Sequence, residues 1–234
     1  MDYSQNGEGK IIANYFGERK GVLLDIGAND GSVLSNSRGL MLAGWRGYLV
    51  EPDRAAFRKL LHLYAPGVHG IPPDTFTLKV NNVTLIQAAV ANQNGPLSFY
   101  SSGTHLKKGD IALLSTTLPE EMARWKSSGE KFEKTEVHGI TFHSLVTACG
   151  LGLGNVMDYT GATPDDVAEF NFISIDAEGA DYDILKQIDL RSVGCELLCV
   201  EYNAKDEHKF IGYAAGAGMK LIHRNYENLI FAVA

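Results

Sequence analysis

The chain has 234 residues, a formal net charge of −7 and 45% hydrophobic residues. That length suits one α/β domain with a sizeable core. The acidic balance argues against a bulk nucleic-acid or membrane-surface binder, and the densest lysine pair, Lys107 and Lys108, is accounted for by a solvated loop.

The polar opening "MDYSQNGEGK" has no apolar h-region of a secretory leader, and no apolar run approaches a membrane span. Three cysteines, Cys149, Cys195 and Cys199, complete no zinc pattern. Cys195 and Cys199 are expected to share one face of a core strand. Reduced thiols and a cytoplasmic location are the expectation.

"GVLLDI" (21–26) is an unbroken apolar run, as a strand buried on both faces should be. "GYLVE" (47–51) is the next strand. "RAAFRKLLHLYAPG" then sets Phe57, Leu60, Leu61 and Tyr64 on one helical face and ends at Pro66 and Gly67. "VTLIQAAVA" (83–91) reads as a third strand. Residues 101–137 are polar and Gly/Ser-rich and hold one predicted helix in "TLPEEMARWKSSGEKFEK", with Thr117 and Glu120 at capping-box spacing. That segment is either a surface excursion or a lid or substrate-binding insertion. "FNFISIDAEG" (170–179) is a fourth strand, followed by a helix with Ile184, Leu185 and Ile188 inward. "CELLCVEYN" (195–203) is a fifth, then a helix over 205–216. "MKLIHRNYENLIFAVA" closes the chain as an antiparallel hairpin around "RNYEN". Alternating β and α units predict a doubly wound, mostly parallel sheet, in a single domain over 1–234.

Ligands of such sheets sit at the carboxyl ends of the strands. "DIGANDG" lies there after the first strand. A dinucleotide loop would read G-x-G-x-x-G, whereas here only Gly27 and Gly31 occur, beside Asp25 and Asp30. Carboxylates repel a pyrophosphate and suit a cationic cofactor. S-adenosylmethionine carries a sulphonium and an ammonium and no phosphate. Gly27 is expected to let the backbone pass close beneath it, with Asp25 and Asp30 pairing with its positive groups. Glu51, twenty positions after Gly31, stands where an acid accepts ribose hydroxyls. Gln87 and Ala88 end the third strand, where adenine contacts are expected.

"SQNGEG", "DIGANDGSVLSNS", "GWRGYLVEPD", "QAAVAN" and "FISIDAEGADYDILK" follow one another in this order. Together they resemble the FkbM-type class I methyltransferases, S-adenosylmethionine-dependent enzymes that mostly methylate hydroxyls of sugars and natural products. "GEG" and "DAEGAD" are mild departures from the commoner family forms. The resemblance implies a Rossmann-like, seven-stranded sheet with a C-terminal antiparallel hairpin. It implies that Asp25, Gly27, Ala28, Asn29 and Gly31 form the cofactor loop and that Ser35 and Asn36 line the same pocket. Glu51 and Pro52 would flank the ribose, and Gln5 would close over the cofactor. Asp176 and Glu178 would face the methyl group.

Methyl transfer to a hydroxyl needs alignment and removal of a proton. Asp176 is the candidate base by position, with Glu178 as its neighbour. Some related O-methyltransferases use Mg²⁺, and Asp176, Glu201 and Asn203 occupy similar places, with oxygen ligands that suit that ion. His105, His138 and His143 are further base candidates if the insertion folds over the pocket. Tyr202 and Trp125 could stack a sugar, although packing is the ordinary role of such rings. A nucleic-acid methyltransferase would show Asn/Asp-Pro-Pro-aromatic where "DAEG" stands. A catalytically idle cofactor-binding module is the alternative from another class. The expected partner is a small hydroxylated acceptor.

Overall fold

The computed structural model describes residues 2–68, 77–104, 110–125, 128–151 and 168–234. Predicted strands recur as β1 (Val22–Ile26), β2 (Arg46–Val50), β4 (Val83–Ile86), β8 (Phe172–Ile175) and β9 (Leu197–Glu201), after α1 (Glu8–Phe16) and with α2 (Arg38–Leu42) and α3 (Arg54–Tyr64) between. All neighbouring pairs among these five strands are parallel. The closing hairpin forms from β10 (Met219–Arg224) and β11 (Asn228–Val233), with β11 antiparallel to β9.

The central sheet has eight strands rather than seven, in the order β10-β11-β9-β8-β1-β2-β4-β3. The added strand is β3 (Thr77–Val80), an antiparallel edge against β4. The run "VTLIQAAVA" is not one strand either. It breaks after Ile86, and β5 (Ala89–Val90) joins a second, three-stranded sheet with β6 (Gly95–Ser102) and β7 (Phe132–Ile140). The expected long helix of the 101–137 segment is short, α4 (Pro119–Trp125), and its "FEK" tail is the start of β7.

Side-chain alternation sorts the core into two layers. Leu23, Leu49, Leu85 and Phe172 point to α1, α2 and α3, where they meet Ile12, Met41 and Phe57. Leu24, Val50, Ile173 and Leu198 point to the other face. There they meet α5 (Phe142–Ala148), α6 (Asp181–Leu185) and α7 (Glu207–Gly216). Cys195 and Cys199 do not share a face. Cys195 lies ahead of β9 and packs in the second layer, and Cys199 packs in the first. Burial raises all three thiols, Cys149 to about 12, so all three are poor nucleophiles. No helix of the described residues is long and apolar enough to cross a membrane.

Asp53 explains where α3 starts. Its Oδ1 accepts from the Ala55 and Ala56 amides at 2.8 and 3.0 Å. Asp53→Ala should lower urea stability by about 1 kcal/mol, with Asp53→Asn close to wild type.

Candidate active site

A cleft of about 190 Å³ opens at the carboxyl ends of β1, β2, β8 and β9. One wall comes from the 101–137 segment, through Ala112–Thr117, Arg124 and Trp125. Gln5 reaches it from the N-terminal segment, where its Nε2 donates to Glu227 Oε1 at 3.1 Å.

The loop after β1 is shaped by its neighbour. Gly27 has φ +87°, and a Cβ there would lie 1.7 Å from the Asp176 carbonyl oxygen. Its lack of a side chain is therefore required by the crossing of the β1 and β8 exits. Asn29, with φ 48°, turns the chain so that its amide meets Glu51 Oε2 at 2.8 Å. Gly31 does not line the cleft: its Cα faces α3, 2.5 Å from Leu60 Cδ1 if a Cβ were added.

The two aspartates of the loop separate in role. Asp30 turns away from the cleft, and its Oδ1 accepts from the Ser32 and Val33 amides, both at 2.9 Å, so it holds the turn instead of pairing with a ligand. Asp25 lines the cleft and accepts from the Ser37 hydroxyl at 2.5 Å. Burial pushes its carboxyl up to about 6, against the pull of the Ser37 and Ser174 hydroxyls.

Glu51 and Pro52 line the cleft at the end of β2, with Ala28, Asn29, Ser35, Asn36 and Ala88. Asn36 Oδ1 is buried with no hydrogen-bond partner, as an acceptor awaiting a ligand donor would be. Gln87 is off the lining, because the chain leaves β4 there and turns to β5. Ala89 and Val90 line the wall in its place.

Glu51 Oε1 also accepts from the Asp53 amide, at 2.6 Å. Burial pushes Glu51 up to about 8, with the charges of Asp53 and Asp25 adding to the rise. Between its ordinary 4.5 and about 8 the folded protein keeps a proton that the unfolded chain has lost. Stability from this group is therefore full below that window and falls as pH rises through it. In Glu51→Gln the amide group meets a backbone N–H, a penalty with no pH dependence. The slope is the readout: wild type should lose roughly 3–5 kcal/mol more than the variant as pH rises through the window. Urea titrations across that range check it, and parallel slopes would remove the assignment.

Asp176, Glu178, Glu201 and Asn203 line the far end. Burial and then the charges of Asp181 and Asp25 push Asp176 up to about 8. Burial and the neighbouring acids push Glu178 and Glu201 well above the carboxylate range, with Arg124 opposing the rise at Glu178. Of the expected Asp176–Glu201–Asn203 trio, Asp176 and Glu201 come together with Glu178, and Asn203 lines the same cleft, where its Oδ1 accepts from Arg124 Nη2 at 3.0 Å. Arg124 is held in turn by Glu121 at 3.3 Å and stacks over Trp125.

No described histidine lines the cleft. His138 on β7 and His143 on α5 are exposed, and His105 lies outside the described residues. Tyr202 is core: its hydroxyl donates to the Asn225 carbonyl at 2.8 Å and its ring meets Phe210 edge-on. Trp125 does line the cleft. Glu227, Ser174 and Arg124 are lining residues that the motifs did not single out. Only the polar turn "RNYEN" hinted at Glu227.

Residues 25–225 match the methyltransferase FkbM domain. No curated protein matches the chain. The matched span includes both the β1 loop and the carboxylates after β8 and β9. A domain match of that extent, over a mostly parallel α/β sheet with its cleft at the strand ends, makes this chain a member of the FkbM methyltransferase family.

Proposed function

We propose that the protein transfers a methyl group from S-adenosylmethionine to a hydroxyl of a sugar-like or natural-product-like small molecule. The charge of the cleft carries this reading. Among the described residues its lining holds six carboxylates, Asp25, Glu51, Asp176, Glu178, Glu201 and Glu227, against one guanidinium, Arg124. Burial raises the carboxyls of Glu51, Asp176, Glu178 and Glu201, so their negative charge develops as a cation arrives; a sulphonium or an ammonium favours that ionisation, whereas a pyrophosphate or a nucleic-acid backbone opposes it.

In this reading Glu51 accepts the ribose hydroxyls, using lone pairs that its two backbone donors leave free. Asp25 and Gln5 flank the amino-acid end. The acceptor enters beside Asp176 and Glu178, under Arg124 and Trp125. Its oxygen attacks the methyl carbon in line, the carbon–sulphur bond breaks, and the proton passes to a carboxylate, Asp176 by position. The products are a methyl ether and a neutral thioether. Three free thiols fit a reducing compartment, and the cytoplasm is the proposed location.

Calorimetry with S-adenosylmethionine, S-adenosylhomocysteine and NAD tests the cofactor. The first two should bind and NAD should not; NAD binding alone would end the proposal. Methyl release across a panel of hydroxylated acceptors tests the reaction. Tight cofactor binding with no turnover on any acceptor would favour the idle module.

A further inference from the structure

Asp176, Glu178 and Glu201 each bring a ligand oxygen to within 4.8 Å of the other two. That is the spread of ligands around one hard cation, since oxygens on opposite sides of Mg²⁺ or Ca²⁺ lie roughly 4–5 Å apart. A second observation is independent of the clustering. Glu178 Oε2 and Glu201 Oε2 are buried and accept no hydrogen bond, and Glu201 is only 6% exposed. Buried carboxylate oxygens otherwise find donors, because leaving them bare is costly.

The nearby basic groups are engaged elsewhere. Arg124 is shared between Asn203 and Glu121, and Lys205 pairs with Glu121 at 2.8 Å. We propose that Asp176, Glu178 and Glu201 bind one divalent cation of the Mg²⁺ type through their carboxylate oxygens. The donor set is all oxygen, which disfavours the softer metals. Three carboxylates leave coordination positions open toward the cleft, where water or an acceptor oxygen can sit. There the cation would lower the pKa of an acceptor hydroxyl, a consequence that rests on the methyl-transfer reading. Cation binding itself does not.

Mn²⁺ serves as the probe, because its free form is counted directly by electron paramagnetic resonance. The full chain, without cofactor, should bind one Mn²⁺ that excess Mg²⁺ displaces. Glu201→Gln and Glu178→Gln should each weaken it by about 10–100-fold, the scale of losing a supporting interaction or more. Circular dichroism checks that each variant folds, and Glu178→Gln, at the less buried position, stands in if Glu201→Gln does not. No bound Mn²⁺ up to about 1 mM, the weak end for carboxylate sites, overturns the site. So does unchanged affinity in a folded variant. Calorimetry with S-adenosylhomocysteine on the same samples keeps the two readings apart. Mn²⁺ binding without the thioether sinks the cofactor reading alone, and the reverse sinks the cation alone.

Discussion

Gly27→Ala should remove cofactor binding and lower stability by about 3 kcal/mol or more, at the large end for single substitutions. The new methyl would lie 1.7 Å from the Asp176 carbonyl oxygen and 2.8 Å from its carbon, and both are backbone atoms that cannot rotate away. The φ of +87° adds strain for any L side chain. Relief requires the β1 and β8 exits to separate. That would break the Asp176 amide's bond to the Ile26 carbonyl, 2.9 Å long, and move Asp25 and Asp176 apart. A drop in melting temperature of roughly 6–12 °C is the corresponding readout for a chain of this size. Two other glycines calibrate the result. Gly31→Ala shares the strain of a positive φ, +72°, but its methyl meets only the ends of Leu60, Leu63 and Tyr64, which can shift, so its cost should be smaller. Gly39→Ala has nothing within 4 Å and sits in α2, so it should be neutral or stabilising by up to about 1 kcal/mol. Equal melting temperatures for Gly27→Ala and Gly39→Ala would refute the crossing as the reason for Gly27.

The same position shows how far residues alone could lead. "GVLLDI" predicts a buried strand because apolar continuity is local, and β1 is where it should be. That Gly27 answers to Asp176, far along the chain, is a tertiary fact with no local trace. Asp25 and Asp30 look alike in the motif, yet only one faces the ligand side. Asp30 spends its oxygens on two amides of its own turn, a short-range geometry that charge counting does not distinguish. The second sheet was hidden for a different reason. β7 is exposed along most of its length, so "FEKTEVHGI" lacks the apolar signal of a core strand. The polar look of 101–137 thus concealed both the start of β7 and a wall of the cleft. Glu227 was illegible because its value comes from the N-terminus folding back onto the hairpin turn. The carboxylates after β8 and β9 were legible, since a strand end in this architecture always opens on the ligand side.

Asp176→Asn should reduce turnover by about 10²–10⁴-fold, the usual span for losing a general base, while leaving the protein as stable as wild type or more so. The two halves of this expectation come from different atoms. The backbone of residue 176 holds the β1–β8 crossing, and asparagine keeps it. The side chain is a half-buried acid whose carboxyl desolvation, Asp181 and Asp25 push up to about 8, so ionising it costs the fold. Asparagine never ionises, so that cost does not arise as pH rises. Asp181, five residues on, behaves in the opposite way. Its two oxygens accept from the Ala177 and Gly179 amides at 2.7 and 2.9 Å, so it ties down the loop that carries Glu178. Asp181→Ala should therefore lose about 1–2 kcal/mol of stability, because the amides of half-buried Ala177 and exposed Gly179 both lose a charged acceptor. Parallel urea titrations and single-turnover rates on both variants separate the roles. An Asp176→Asn protein that turns over at the wild-type rate would move the base to Glu178 or Glu201. One that loses as much stability as Asp181→Ala would make Asp176 a structural acid.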